Sequence, residues 1–192
     1  MIKNSFKYIN VFFLILIFSC QPIDKVENVV FDYNQLSKIN INAKQKIVNE
    51  LYQSKFIDPY IDHSLSKSPK DHLKEWFESN FEINGNQNLL EINIIEASVK
   101  KTEIPNTDKK KYKEKTIFFY EIILLVEFVL YDDSNFLLAN VLVESKITTT
   151  SRKFISLFEY ERIIDNMILE TLFDFTNESK KLIQEHMINY VF

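Results

Sequence analysis

The sequence predicts a two-layer α+β domain, in which an antiparallel-rich sheet of about four strands carries two helices on one face. Two long runs of strand-like alternation, 116–131 and 136–149, flank a turn and predict a hairpin. Helix-initiation signals stand at Ser68 and at Ser156, on either side of the strand-like region. The expected order of elements is therefore strand–helix–strand–strand–strand–helix.

The composition indicates a folded domain and excludes several classes of function. Apolar residues make up 46% of the 192 residues, which excludes a disordered chain. Gly85 is the only glycine, so the sequence lacks the glycine-rich loops of P-loop and Rossmann proteins and the Gly-x-Ser-x-Gly elbow of hydrolases. The formal net charge of −4 argues against general nucleic-acid binding.

The first twenty residues are typical of an export signal. Lys3 and Lys7 precede an apolar run over 9–18, which is far shorter than the roughly 20 residues of a membrane-spanning helix. The run leads into Cys20, the only cysteine in the chain, and this ending resembles the lipobox of bacterial lipoproteins. The resemblance implies that residues 1–19 are a signal peptide and that acylated Cys20 anchors the protein in a membrane. The alternative is an ordinary signal peptide that contains a cysteine.

The mature chain is expected to consist of a lipidated tether over 20–35 and a single domain over 36–192. Gln21 stands where an aspartate would argue for retention in the inner membrane. By resemblance to known sorting signals, the outer membrane is favoured over the inner one. We therefore expect a protein of the cell envelope that faces the periplasm.

The N-terminal part of the domain has the weakest periodicity. Residues 26–31 fit a short strand or an extended arm. Ile39 and Ile41 alternate with polar neighbours and favour a strand to about Val48, although 43–51 also fits a helix.

The first clear helix follows a loop over 58–67. Ser68 is a good N-cap, Pro69 suits the first helical position, and Asp71 favours a helix N-terminus. The apolar face comprises Leu73, Trp76, Phe77 and Phe81. We expect this helix to end at Gly85, in a left-handed conformation.

Residues 89–101 form a predicted strand with one irregularity. Apolar residues occupy even positions up to Ile94 and odd positions from Ile95 onward. Because side chains alternate with a period of two, this change of phase requires an inserted residue, and it predicts a β-bulge there. A basic loop over 104–115 follows.

The hairpin turns at 132–135. Its inner side, which meets the helices, comprises the even positions of 118–130 and the odd positions of 137–147.

The second helix begins with a capping box formed by Ser156 and Glu159. Its apolar stripe continues to Tyr190, which predicts a helix of about 34 residues and roughly 50 Å, unless it breaks near Asn177.

Two surface regions are candidate binding sites. On the sheet face away from the helices, apolar side chains stand among acids and lysines, and a contiguous apolar area of this size is typical of a contact surface. They are Phe119, Ile123, Leu125, Val129, Leu138 and Leu142. The second region is a cationic rim at one end of the sheet, suited to phosphates of anionic lipid or lipopolysaccharide. It comprises Lys109, Lys110, Lys111, Lys113, Arg152 and Lys153.

Each candidate has an open alternative. The segment 21–35 or a second copy of the chain would cover the sheet face, and the basic loop would be an ordinary solvated loop.

The sequence offers little support for catalysis. His63, His72 and His186 are scattered, and no His-Glu-x-x-His motif or Ser/His/Asp triad is recognisable. Asp71, His72 and Glu75 share one helix, but a solvated helix face explains them better than a metal site. We therefore expect no enzyme, no metal and no cofactor.

Several features of the mature chain are shared with one group of proteins: Ser68–Pro69, Trp76, the stretch 96–99, a tyrosine at Tyr120 or Tyr112, and 145–151 leading into 159–162. On these features the chain resembles small, uncharacterised lipoproteins of Gram-negative bacteria. Its element order is also similar to that of periplasmic lipoproteins that assist lipopolysaccharide assembly or lipid transport.

The resemblance implies a non-catalytic binding or assembly accessory whose partner is an envelope protein complex or a lipid. The rivals are an autonomous structural lipoprotein with a covered sheet face and, less favoured, a periplasmic hydrolase.

Overall fold

The computed structural model describes residues 29–108 and 114–192. In chain order, its elements are β1 (Ile39–Ile41), β2 (Gln45–Glu50), α1 (Pro69–Ser79), β3 (Phe81–Ile83), β4 (Leu89–Pro105), β5 (Thr116–Tyr131), β6 (Leu137–Ser151) and α2 (Leu157–His186). The main sheet has the order β2–β4–β5–β6. Both helices pack on one of its faces, where Trp76 of α1 contacts Phe175 of α2. The predicted α+β two-layer class is confirmed.

Three long antiparallel strands form most of the main sheet, as predicted. The register between β4 and β5 shifts between Ile94 and Glu96, which confirms the β-bulge. The turn between β5 and β6 closes on Asp132, whose Oδ1 accepts hydrogen bonds from the backbone N–H groups of Ser134 and Phe136, both at 2.8 Å. This local satisfaction of backbone donors explains why the turn could be located from the sequence.

The N-terminal strands differ from the expectation. Two short strands, β1 and β2, replace the predicted single strand to Val48, and the alternative helix over 43–51 is wrong. β2 pairs in parallel with β4, so the main sheet is mixed. β1 pairs in parallel with β3 in a separate two-stranded sheet. Alternation reports which residues face a core, but it does not report which distant strand is the partner.

Helix α1 begins as predicted. Ser68 Oγ accepts a hydrogen bond from the backbone N–H of Asp71 at 3.2 Å, and the Asp71 carboxylate accepts one from the backbone N–H of Ser68 at 3.3 Å. The helix ends at Ser79, however, and not at Gly85. Phe81, expected on the helix, is the first residue of β3.

The early end of α1 has a tertiary cause. Lys46 of β2 donates hydrogen bonds to the carbonyl oxygens of Phe77 at 2.5 Å and Phe81 at 2.7 Å. These bonds satisfy carbonyls that a continuing helix would otherwise use. A cation from another strand therefore stabilises the point where the chain leaves the helix.

Gly85 has a different role from the expected helix stop. Positive φ values occur at Asn88 and Asn135, and not at Gly85. A Cβ atom at Gly85 would clash with the Asn42 side chain and would lie 2.9 Å from the backbone nitrogen of Ala43. Glycine is needed here because two backbones approach closely.

Helix α2 is continuous over 30 residues, or about 45 Å. The predicted continuation to Tyr190 is instead a separate 3₁₀ turn at Ile188–Tyr190. Near the suggested break, Asn177 accepts a hydrogen bond from Ser37 at 2.7 Å while the helix stays intact. Ser156 caps the first turn by accepting a hydrogen bond from the backbone N–H of Glu159 at 3.1 Å.

Residues 29–36 lie against the helices. The ring of Phe31 is 4.0 Å from that of His72 between centroids, and the Tyr33 hydroxyl lies 2.7 Å from His72 Nδ1. His72 is therefore 3% exposed, and the expected solvated helix face is wrong at this position. Burial lowers the pKa of His72 to about 4. The boundary at 35/36 between tether and domain stays a prediction.

Candidate functional site

The outer face of the main sheet, defined as the face away from α1 and α2, carries the odd-numbered residues of β5. Three of the apolar residues expected there are half-buried: Phe119, Ile123 and Leu125. Leu138 is 37% exposed and Leu142 is 56% exposed, whereas Val129 is only 5% exposed. The outer face thus presents Leu138 and Leu142 to solvent and the residues of β5 only in part.

Polar residues separate the apolar residues on the outer face. Leu125 pairs with Glu96 of β4 on one side and with Glu144 of β6 on the other. The same arrangement surrounds Phe119 (Thr102 and Thr150), Ile123 (Ser98 and Lys146) and Val129 (Glu91 and Asn140). Along β5, the apolar residues therefore form a stripe about one strand wide, which Glu121 and Glu127 interrupt and which lies between two mainly polar rows. We call it the β5 stripe.

The polar rows are held by contacts between strands. Glu121 of β5 forms ion pairs with Lys100 of β4 at 3.2 Å and with Lys146 of β6 at 2.5 Å. The hydrogen bond from Lys146, with a further one from Lys100, keeps the pKa of the Glu121 carboxyl below its ordinary value. A second row of polar contacts crosses β2, β4 and β5. Asn49 donates a hydrogen bond to Asn93, which donates one to Glu127. These contacts fix the positions of the charges beside the stripe.

Ile95 is an exposed apolar residue that the sequence-based site did not include. It is 39% exposed. In the β4–β5 register, Ile94 pairs with Val126 and Glu96 pairs with Leu125, so Ile95 is the inserted residue of the bulge. The change of phase located this bulge, but only the structure shows that the extra side chain turns towards solvent.

The predicted cationic rim is only partly within the described residues. Lys109, Lys110, Lys111 and Lys113 lie outside them. Arg152 is exposed, whereas Lys153 is half-buried and its Nζ lies 2.8 Å from Glu103 Oε1. Glu114 accepts a hydrogen bond from the backbone N–H of Lys153 at 2.7 Å. Two acids therefore offset the positive charge at this position.

A groove at the same end of the sheet was missed by sequence reasoning. We call this end the loop end, because β4 and β6 end there and β5 begins there; the opposite end, at 132–136, is the hairpin end. The groove has a volume of about 530 Å³. Its residue Lys101 places Nζ 4.0 Å from the ring centroid of Phe118 and 5.1 Å from that of Tyr160. Burial raises the pKa of Tyr160. The side chains are far apart in sequence, so no local pattern could join them.

The described residues show no arrangement typical of metal catalysis. Within 29–108 and 114–192, no three His, Cys, Asp or Glu side chains are grouped so that they could hold a metal ion. His63 lies against the ring of Phe56, with 4.9 Å between centroids, and His186 is exposed at the end of α2. None of the helices in these two ranges is both long enough and apolar enough to span a membrane.

Comparison with known proteins identifies structural similarity only. No protein-family model matches the chain, and neither does any curated protein. Among solved structures, a minor lipoprotein from Acinetobacter baumannii matches with 7% identity and a TM-score of 0.41, over 77% of this chain and 93% of that one. The rare lipoprotein B from Shewanella oneidensis matches with 15% identity and a TM-score of 0.39, over 74% of this chain and 100% of that one.

Both solved structures are described as lipoproteins. The TM-scores are too low to transfer a function, a partner or a site.

Proposed function

We propose that the protein is a lipid-anchored lipoprotein of the cell envelope that acts as a non-catalytic binding or assembly accessory. Acylated Cys20 holds the domain at the periplasmic side of a membrane, with the outer membrane favoured over the inner one. The β5 stripe, together with Leu138 and Leu142, contacts an envelope protein complex.

The observation that carries this proposal is the exposure of Leu138 and Leu142 on the outer face. In the part of the chain that is described, both helices and the segment 29–36 pack on the inner face, and Leu142 remains 56% exposed. An apolar stripe between ordered charges suits a protein partner, because polar rows in a fixed register give specificity at an interface. A bilayer would favour a wider apolar area without ion-paired rows.

Anionic lipid at the rim is the second candidate partner, supported by exposed Arg152. It is the weaker candidate, because Lys153 already pairs with Glu103.

Site-specific photo-crosslinking in intact cells tests the outer face. A photoreactive phenylalanine analogue is placed at Leu142, and the matched control carries it at Phe173 of α2, which is 52% exposed. We expect crosslinks from position 142 to the subunits of one envelope complex, identified by mass spectrometry, and none of these from position 173. The same products from both positions, or no protein product from position 142, would contradict the proposed contact. If the protein is instead an autonomous structural lipoprotein, position 142 should give no protein product.

The anchor is tested separately by fractionation. Cys20→Ala should move the protein from the membrane fraction to the soluble periplasmic fraction. Two or more acyl chains hold a protein at a bilayer, and the variant carries no acyl chain. Unchanged membrane association of Cys20→Ala would refute the lipid anchor.

A further inference from the structure

The N-terminal end of the described chain lies at the loop end of the sheet. Val29 lines a groove of about 540 Å³ together with Leu157 and Phe158, which open helix α2. Nine peptide units separate Val29 from Cys20. A fully extended chain covers at most about 3.6 Å per residue, so an anchor at Cys20 keeps this groove within about 30 Å of the bilayer.

Large apolar side chains are exposed at this same end. Phe154 is 81% exposed, Leu157 is 72% exposed and Phe158 is 37% exposed. None of the three belongs to the hydrophobic core. They lie within five consecutive residues, where the chain passes from β6 into α2.

The backbone beneath these side chains is held by hydrogen bonds to side chains. Glu114 accepts hydrogen bonds from the backbone N–H groups of Lys153 at 2.7 Å and Phe154 at 3.4 Å. Ser156 then caps the first turn of α2. The apolar side chains are therefore displayed from a fixed backbone, which lowers the entropy lost when they bind.

We propose that Phe154, Leu157 and Phe158 form a membrane-contact tip, which inserts into the boundary between headgroups and acyl chains of the bilayer that holds Cys20. This proposal rests on the acylation of Cys20 in the proposed function. Aromatic and leucine side chains are those that interfacial segments place at this depth. Three side chains offer too little area for a stable protein interface, whereas an anchor nearby makes a weak bilayer contact effective.

The tip also determines the orientation of the domain. Helix α2 and strand β5 extend away from the tip for about 45 to 50 Å. The hairpin end is thus held far from the membrane, and the outer face stands to the side, where a partner in the envelope can reach it. Arg152 and Glu159, which carry opposite charges, flank the tip.

Spin labelling of the full-length mature protein, as the cell processes and exports it, tests this orientation in vesicles of phosphatidylethanolamine and phosphatidylglycerol. A cysteine is introduced at Leu157 in one variant and at Phe136 in the control, which is 70% exposed at the hairpin end. Acylation blocks Cys20, the only native cysteine, so the nitroxide attaches only at the new site. Both positions are exposed, so neither variant should disturb folding.

We expect the label at position 157 to be reached several-fold better by oxygen, which concentrates in lipid, than by a water-soluble nickel complex. The label at position 136 should show the reverse preference. Preference for the nickel complex at both positions, with protein firmly bound to the vesicles, would overturn the tip while leaving the anchor intact. Protein that leaves the vesicles and takes up label at Cys20 would overturn the anchor, and the tip with it.

Discussion

The inner and outer faces of β5 differ sharply although they belong to the same strand. On the inner face, every even-numbered residue from Tyr120 to Leu130 is fully buried. On the outer face, apolar residues alternate with Glu121 and Glu127, and polar residues of β4 and β6 lie opposite them. The inner set is wholly apolar, whereas the outer set includes two acids among its apolar residues. The difference teaches that burial along one strand depends on which face the helices cover and on what the neighbouring strands place beside each side chain.

The contrast separates stability from binding. The inner face joins the aromatic cluster of Trp76, Phe77, Phe81 and Phe128, whose rings stack or meet edge to face. On the outer face, the β5 stripe is partly exposed to solvent and lies beside the ion pairs of Glu121 with Lys100 and Lys146. Substitutions on the inner face should therefore cost folding free energy, whereas those on the outer face should cost binding.

The largest expected effect is on the inner face. Phe128 is fully buried and stacks on Phe81 with 5.5 Å between ring centroids. Phe128→Ala should lower the free energy of unfolding by about 3–5 kcal/mol, because it removes buried apolar area and leaves a cavity. Urea denaturation followed by the fluorescence of Trp76 measures the loss. A loss below about 1 kcal/mol would break the comparison, because the inner face would then not be the core.

The next largest effect is a pH dependence of the free energy of unfolding, which arises from His72 in helix α1. Burial lowers the pKa of His72 to about 4 from 6.5, and Lys67 adds to this shift while Glu75 opposes it. Between these pH values the unfolded chain binds more protons than the folded one. The stability contributed by neutral His72 is therefore complete above pH 6.5 and is lost as the pH falls towards 4, by about 3 kcal/mol.

The variant His72→Asn isolates this contribution. Its free energy of unfolding, measured by urea denaturation, should fall less than that of the wild type between pH 7 and pH 4.5. The outer carboxyl of Glu121 has a lowered pKa, so its contribution is present above the ordinary carboxyl pKa and is lost only at lower pH. Equal slopes for variant and wild type over this range would show that His72 is not buried in the neutral form.

A smaller effect is expected for the ion pairs of the outer face. Glu121→Gln removes the carboxylate shared by Lys100 and Lys146, and it should cost about 1 kcal/mol or less at low salt. The loss should shrink at high salt because the ions screen the charges. Glu144→Gln, an exposed position on the same face without an ion pair among the described residues, is the matched control and should be neutral. A larger loss for Glu144→Gln would contradict the assigned network.

The smallest effect on stability is expected at Leu142. Leu142→Lys should change the free energy of unfolding by no more than about 0.5 kcal/mol, because the side chain is already half in solvent and the lysine would face Glu127 of β5. In the cell, with the photoreactive analogue moved to Leu138 of the same face, the variant should lose the crosslinks that the protein with Leu142 intact forms. A destabilisation of several kcal/mol would show that this face is covered, as expected for an autonomous structural lipoprotein.

Much of the fold could be predicted from local patterns. The hairpin, its turn, the β-bulge and the caps at Ser68 and Ser156 all follow from a period of two, a change of phase or a side chain that satisfies nearby backbone donors. The end of α1 could not be predicted, because Lys46 from another strand stabilises it. The apolar residues of the outer face could be predicted from the sequence, but their arrangement as a narrow stripe could not. The register between strands decides which polar residue lies beside each apolar one.

The sequence by itself determined the α+β class, most of the inner side of each long strand and the two helix starts, because these depend on hydrogen bonds and periodicity over a few residues. Leu137, which was expected to meet the helices, is instead 58% exposed. Only the tertiary structure decided the parallel partners of β1 and β2, the burial of His72 and the position of Val29 beside the start of α2. Each of these depends on contacts between segments far apart in the chain, and such contacts form only when the whole domain packs.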